Sequence, residues 1–306
     1  MIYKNKSLKE ISKTYKILKK KFKEKKNLQL FLKMKKFSEF EKIKMSYDVQ
    51  SGSYLKFAKK TSKNKEKNVY YPLVKNIIKE FKKFETILDF GCGELNTSYY
   101  IFNYLNHKKL KYFANDISLN RLFVGQKFLK EKLKKKDFNK FNLFCNSSLN
   151  LPFKNDTIDI VFTVHALESN NDHKKILINE LLRVSKQGII LMEPDYENTN
   201  SEQKKRMNKF NYIRGIKEII DNKKFLLKII KKNYHMNDVN KSSIFIIKKR
   251  KKKKSSNKSN YVNPKTLEKL KDLDGFLYNK NNYRLFPVYK NITLFSDDTQ
   301  IFLPSI

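Results

Sequence analysis

Residues 86–95 read Thr-Ile-Leu-Asp-Phe-Gly-Cys-Gly-Glu-Leu, and they constrain the fold more than any other stretch of the 306-residue chain. A short apolar run ends in an acid, two glycines flank one residue, and a helical pattern follows. Ile87 and Leu88 predict a buried parallel strand. Gly91 and Gly93 predict a tight turn where backbone approaches a ligand closely, because glycine has no Cβ. A turn of this kind between a parallel strand and a helix is where nucleotide-like cofactors sit in open α/β sheets. A pyrophosphate site wants a third glycine, whereas Glu94, Leu95 and Asn96 follow here.

The segments that follow alternate between strand and helix. Lys111–Asp116 reads as a second strand ending in an acid, with a helix over about 119–133. Asp116 lies 23 residues beyond Gly93, where an acid at a strand end accepts hydrogen bonds from ribose hydroxyls. A helix cap is the structural alternative for Asp116, and Ser118 is the better cap. Asn142–Cys145 is strand-like, Lys154–Asp156 is a turn, and Ile158–Phe162 is a strand leading to His165 and Glu168. A helix over about 173–184, a turn at 186–188 and a strand at 189–192 come next, stopped by Glu193-Pro194. A helix over 71–81 precedes the glycine turn, with Leu73, Ile77, Ile78 and Phe81 on one face. A long basic helix over about 202–221 is predicted, then strands 225–230 and 243–247 as an edge hairpin with the last strand antiparallel. This order implies a parallel sheet covered by helices on both faces.

Taken together, Ile87–Gly93, Asn115–Ser118, Leu151–Asp156, His165–Glu168, and Leu182–Gly188 with Glu193-Pro194 resemble class I S-adenosylmethionine-dependent methyltransferases. The resemblance covers about residues 70–250, and its nearest type includes the ubiquinone-biosynthesis methyltransferases. It implies a Rossmann-like fold and S-adenosylmethionine as cofactor. It implies that Asp89, Gly91 and Gly93 cradle the methionine part and that Asp116 holds the ribose. Ser147 and Ser148 stand where the family has an acid near the adenine amino group, and a serine hydroxyl can accept a hydrogen bond there. Leu95 replaces a common glycine. His165 and Glu168 fall beside the place where the methyl group is presented.

Two flanking segments carry further resemblances. Tyr47-Asp-Val-Gln-Ser-Gly-Ser-Tyr54 is similar to a segment of methyltransferases found with bacterial surface-sugar biosynthesis, where it lies over the cofactor. A loop with two aromatic anchors is the plain alternative. Residues 261–295 resemble the small zinc-ribbon-like domain of the tRNA-methyltransferase activator family. Asn263, Thr266, Asn279 and Asn282 occupy the cysteine positions, and a tetrahedral zinc site needs thiolates or imidazoles. The expectation is that fold without its metal.

Charge refines this picture. The net charge is +38, from 68 basic and 30 acidic residues, which invites a nucleic-acid reading. Residues 86–200 carry only +3 of it, against +12 in 1–45 and +16 in 201–260. Only 6 of the basic residues are arginine, the side chain preferred for bidentate phosphate and base contacts. Leu8, Ile11, Tyr15, Leu18 and Phe22 recur at helical spacing among lysines, so an N-terminal helix either packs on the main domain or lies on an anionic membrane surface. No apolar run reaches the ~18 residues of a membrane span, and no apolar region of a signal peptide follows the basic start. Cys92 and Cys145, both in the α/β region, suit a reducing, cytoplasmic location.

The predicted architecture is an α/β domain at 69–249, preceded by a basic helical, cofactor-covering extension at 1–68. A basic linker at 250–260 and a β-rich module at 261–306 follow. If the acceptor is a hydroxyl or protonated amine, a base must remove a proton. His165 is the first candidate because its ordinary pKa suits the task; Glu168 is the second, and a purely structural histidine is the alternative. Three functions stay open: methyl transfer to a small molecule or sugar, methyl transfer to RNA, and cofactor binding without catalysis.

Overall fold

The computed structural model describes residues 6–107, 109–146, 149–235, 241–250 and 260–304. The chain opens with helices α1 (Leu8–Lys23), α2 (Leu28–Lys33), α3 (Glu39–Gln50) and α4 (Ser53–Lys65). Then come α5 (Tyr71–Glu80), β1 (Thr86–Phe90), α6 (Asn96–Leu105), β2 (Lys111–Asp116), α7 (Leu119–Lys132), α8 (Lys135–Phe138) and β3 (Phe141–Cys145). The second half holds β4 (Ile158–Val164), α9 (Lys174–Val184), β5 (Ser185–Pro194), α10 (Ser201–Phe210), α11 (Ile216–Ile219), β6 (Phe225–His235) and β7 (Lys241–Lys249). The C-terminal strands are β8 (Lys271–Leu273), β9 (Phe276–Asn279), β10 (Arg284–Tyr289), β11 (Ile292–Leu294) and β12 (Ile301–Phe302).

One sheet runs through the whole molecule in the order β6-β7-β5-β4-β1-β2-β3-β11-β10-β9-β8, with β12 paired to β10. The strands from β5 to β11 in that order are parallel, and β7 lies antiparallel between β5 and β6. All five residues of β1 are buried, as a central parallel strand requires. Successive residues face opposite sides. Ile87, Tyr112, Leu143 and Phe162 pack under α5, α6 and α7, while Leu88, Phe113, Phe144 and Val161 pack under α9. The carboxyl ends of β4, β1, β2 and β3 therefore open at one edge, where ligands bind in such sheets.

Several boundaries differ from expectation. The Lys186–Gly188 turn is strand: β5 begins at Ser185, with a bulge opposite Ile158–Ile160. A Cβ on Gly188 would lie 2.2 Å from the Ile247 carbonyl oxygen, so this glycine admits the close approach of β7. The long helix over 202–221 is broken. Asn211 and Gly215 take left-handed conformations (φ 51° and 66°), which separates α10 from α11 and brings the Ile213 amide onto the Glu168 carbonyl at 2.9 Å. On α5, Ile78 is 56% exposed and Val74 takes the buried place. The Tyr47–Tyr54 segment is the end of α3 and the start of α4, with Gly52 between them.

α1, α2 and α3 form a small core of their own around Leu18, Leu28, Leu32, Phe37 and Met45. Ile11, Tyr15 and Leu18 turn into it, while Leu8 is 85% exposed. No helix among the described residues is long and apolar enough to cross a membrane. Most of the predicted linker, residues 251–259, lies outside the described residues.

The C-terminal module continues the main sheet. β11 pairs in parallel with β3, Ile292 opposite Leu143 and Leu294 opposite Cys145. Phe286, Phe295 and Tyr261 fill the space against Phe144 and Phe153. Where the resemblance places metal-binding cysteines, asparagines organise the turns. Asn263 Oδ1 accepts from the amides of Lys265 and Thr266, and Asn279 Oδ1 from those of Asn281 and Asn282. The Glu268 carboxylate draws the two turns together by accepting from Thr266 Oγ1, Asn279 Nδ2 and Asn281 Nδ2.

Candidate functional site

β1 ends in a turn of left-handed residues: Gly91 (φ 70°), Gly93 (φ 58°) and Leu95 (φ 58°). A Cβ on Gly91 would lie 2.4 Å from that of Ala166, and one on Gly93 would lie 2.3 Å from the Arg121 guanidinium. Leu95 keeps a backbone shape that suits glycine, at a cost of about 1–2 kcal/mol. Its fully buried side chain in the core offsets that strain. Asp89 is buried just before the turn and accepts from Ser98 Oγ at 2.6 Å; burial pushes its carboxyl up to about 7. Glu94, also buried, accepts from the amides of Gly52 and Leu55, both at 2.8 Å. The glycine turn is thereby fastened to the start of α4.

At the end of β2, Asp116 accepts from the Gly93 amide at 2.9 Å and the Ser118 amide at 2.8 Å. Ser118 caps α7, as its sequence predicts, and its hydroxyl donates to Asp48 of α3 at 2.5 Å. Arg121, on the first turn of α7, stands 3.7 Å from Asp116, with its guanidinium between the rings of Tyr47 (4.8 Å) and Tyr54 (4.4 Å). Its Nε is buried and meets no partner. Sequence reading missed Arg121. The usable signal was an arginine five residues past Asp116 in a chain whose cations are nearly all lysine.

Beyond β4 the chain turns at His165, which has φ 55°. Its Nδ1 lies 2.8 Å from Glu168 Oε2 and its Nε2 lies 2.8 Å from Ser242 Oγ on β7. With the proton on Nδ1, the histidine donates to Glu168 and accepts from Ser242. The Tyr212 hydroxyl also donates to Glu168, and Arg206 reaches that hydroxyl at 3.4 Å. Beneath them, Glu193 Oε1 accepts from Thr163 Oγ1 (2.7 Å) and the amides of Ala166 and Leu167 (3.1 Å each). Its Oε2 is buried without a partner, and burial pushes the carboxyl up to about 7. Glu193 thus sets the loop that aims His165 and Glu168.

These groups enclose a cavity of about 630 Å³. Asp89, Gly91, Gly93, His165 and Glu168 line it, and Asp116 lies behind Arg121. Ser147 and Ser148 lie outside the described residues. The α2–α4 segment supplies the opposite wall through Gln29, Tyr47, Gln50 and Tyr54. The donor set fits S-adenosylmethionine. The glycine turn lines the cavity directly and lets Ala166 and Arg121 approach closer than any Cβ would allow, buried carboxyl groups stand at the ends of β1 and β2, and the Asp116 carboxylate keeps lone pairs beyond its two amide bonds. Arg121 is the cation that stands against Asp116 in this arrangement.

Residues 88–192 match the sequence model of the methyltransferase domain family. Among solved structures, the chain is similar to a SAM-dependent methyltransferase from Aquifex aeolicus, at 15% identity and TM-score 0.41, over 61% of this chain and 96% of that one. It is also similar to geranyl diphosphate C-methyltransferase from Streptomyces coelicolor A3(2), at 10% identity and TM-score 0.46, over 59% and 79%. A third is a chain from the complex of the Haloferax volcanii Trm112 methyltransferase activator with a methyltransferase, at 12% identity and TM-score 0.48, over 66% and 96%. With the glycine turn and the strand order in place, residues 88–192 form the methyltransferase domain of an S-adenosylmethionine-dependent methyltransferase.

Proposed function

We propose that this methyltransferase acts on a small molecule or sugar held between the N-terminal helices and the Glu168–Tyr212 wall. The observation that carries this reading is the roofed cavity over the glycine turn, walled by the rings of Tyr47, Tyr54 and Tyr212 and the amides of Gln29 and Gln50. Aromatic faces with a few convergent polar groups suit a compact, hydroxylated acceptor. The similarity of Tyr47–Tyr54 to enzymes of surface-polysaccharide biosynthesis points the same way, as does the ubiquinone-type motif set.

S-adenosylmethionine brings an activated methyl group, so the protein's task is to hold the acceptor in line and at short range. Asp89 and the glycine turn hold the methionine end, and Asp116 holds the ribose. For a hydroxyl acceptor, the Glu168–His165 pair takes the proton. Glu168 faces the cavity and accepts the proton, while His165, bonded to Glu168 through Nδ1 and to Ser242 through Nε2, holds that carboxylate in place. The pair acts as one unit, since each side chain is bonded to the other.

A second reading, RNA as acceptor, draws on the net charge of +38 and on the activator-like C-terminal module, which we read as a metal-free relative of that domain fused in one chain. A membrane contact through α1 would fall to Leu8 and its lysines, because Ile11, Tyr15 and Leu18 face α3. Labelled methyl transfer from S-adenosylmethionine, scored across sugars, small hydroxylated acceptors and RNA, tests the proposal. Transfer to sugars or small hydroxylated acceptors is expected. Transfer to RNA alone, with binding that weakens steeply in salt, would replace it. Cofactor binding without turnover on any acceptor would favour a non-catalytic module.

A further inference from the structure

The cofactor has three parts in a row, and the sheet edge fixes where two of them go. The turn after β1 takes the methionine end and Asp116 after β2 takes the ribose, so the base lies further along, over β3 and the strand beside it. That strand is β11. Because β11 is parallel to β3, the chain leaving it emerges at the same edge as the chain leaving β3. The Phe295 amide donates to the Cys145 carbonyl at 2.8 Å, which pins the next residues beside the end of β3. Ser296 is 2% exposed, and its hydroxyl is buried beside the Cys145 thiol, which it meets as a hydrogen-bond partner. Asp297 is held by Lys265 at 2.9 Å. Asp298 is exposed, and its carboxylate feels the charge of Lys44 on α3. Lys44 is bonded to Asp48 at 2.6 Å, the residue that fixes Ser118 two positions after Asp116. Asn146, the first residue past β3, has its side-chain amide committed to the Asn150 carbonyl.

We propose that the C-terminal module completes the cofactor site: Ser296 and Asp298 receive the adenine ring, with the Asp298 carboxylate accepting a hydrogen bond from its exocyclic amino group. Adenine carries a donor at that position, and a carboxylate is an acceptor-only partner. This assignment rests on the cofactor reading above and gives residues 261–306 a part in binding.

The test is calorimetric titration of the full chain with S-adenosylhomocysteine and with S-inosylhomocysteine, which has a carbonyl in place of the amine. Wild type favours the adenosyl ligand. Asp298→Ala weakens that ligand by about tenfold or more, the usual worth of a charge-assisted hydrogen bond, and Asp298→Asn, which keeps one acceptor oxygen, weakens it by less. The inosyl ligand is held as before by Asp298→Ala and no worse by Asp298→Asn, whose amide can donate to the carbonyl. Equal losses for both ligands, or no loss for either, overturn the assignment. Asp298 is exposed, and melting curves confirm that the variants remain folded. If wild type binds neither ligand, the cofactor reading falls first, a result distinct from a failure of Asp298 alone.

Discussion

Glu94 is the point where the N-terminal helices can be unfastened from the glycine turn. Its two oxygens accept from the Gly52 and Leu55 amides at 2.8 Å. Hydrogen bonds to a charged group are worth about 1.5–3 kcal/mol each, so the pair contributes at most about 3–6 kcal/mol. Both amides sit at the start of α4 and can be rehydrated if the segment lifts, which brings the expected cost of Glu94→Ala to about 2–4 kcal/mol. The remaining fasteners, Asp48 to Ser118 and Arg121 between two tyrosines, keep the segment folded but looser. Amide hydrogen exchange should therefore speed up over α3 and α4 and stay slow in β1, β2 and β4. Affinity for S-adenosylmethionine should fall about 10–100-fold, tenfold for each ~1.4 kcal/mol. Glu94→Gln keeps one acceptor oxygen and should lie between. Unchanged exchange in α3–α4 together with wild-type affinity for Glu94→Ala would refute the argument.

Three further outcomes follow from the same geometry. Glu193 keeps its proton up to about pH 7 in the folded state, against an ordinary value of 4.5, so the fold binds more protons than the unfolded chain between those values. Its contribution to stability is greatest below pH 4.5, declines by about 3 kcal/mol as pH rises to 7, and is flat above; urea unfolding of wild type and Glu193→Gln should show the gap between them shift by about that much from pH 4.5 to 8, and a constant gap would contradict it. Asp89 likewise titrates near 7. A cationic methionine ammonium against it favours the charged form, so cofactor affinity should climb by up to about tenfold per pH unit below 7 and level off above, a slope that Asp89→Asn should abolish in calorimetry. Glu268→Ala cuts three bonds between the two asparagine turns and should lower the melting temperature, while a chelator leaves the melting curve of wild type unmoved.

The local geometry at the ends of β1 and β2 was legible in the sequence. Asp89, Gly91, Gly93 and Asp116 depend on local chemistry: a left-handed turn needs residues that tolerate it, and a strand-end acid falls at a fixed offset from the glycines. Ser118 as a cap is equally local. Arg121, Glu94 and Tyr212 were not legible, because each acquires its role from a partner 39 to 67 residues or more away: Tyr54, Leu55 and Glu168 for one or another of them. His165 was read as the likeliest base, but its two bonded nitrogens, one to Glu168 and one to a serine on β7, follow from pairing of β7 with β5 that periodicity alone does not specify. The break between α10 and α11 was hidden for another reason. Asn211 and Gly215 are tolerated in a helical pattern, and only the pull of Ile213 toward Glu168 turns them into a corner.

The pairing of β11 with β3 also bears on the order in which the molecule can be made. β3 leaves the ribosome about 150 residues before the strand that covers it. Until then its backbone groups are an open template for another chain, and Phe144 and Phe153 lack the cover of Phe286 and Phe295. The finished protein ends on this side in β8, a strand of three residues with two exposed side chains, and on the other in β6, which carries Lys228 and Lys231. A chain released before residue 292 would keep a long aromatic edge exposed, so the arrival of β11 decides whether that edge is closed within the molecule or open to its neighbours.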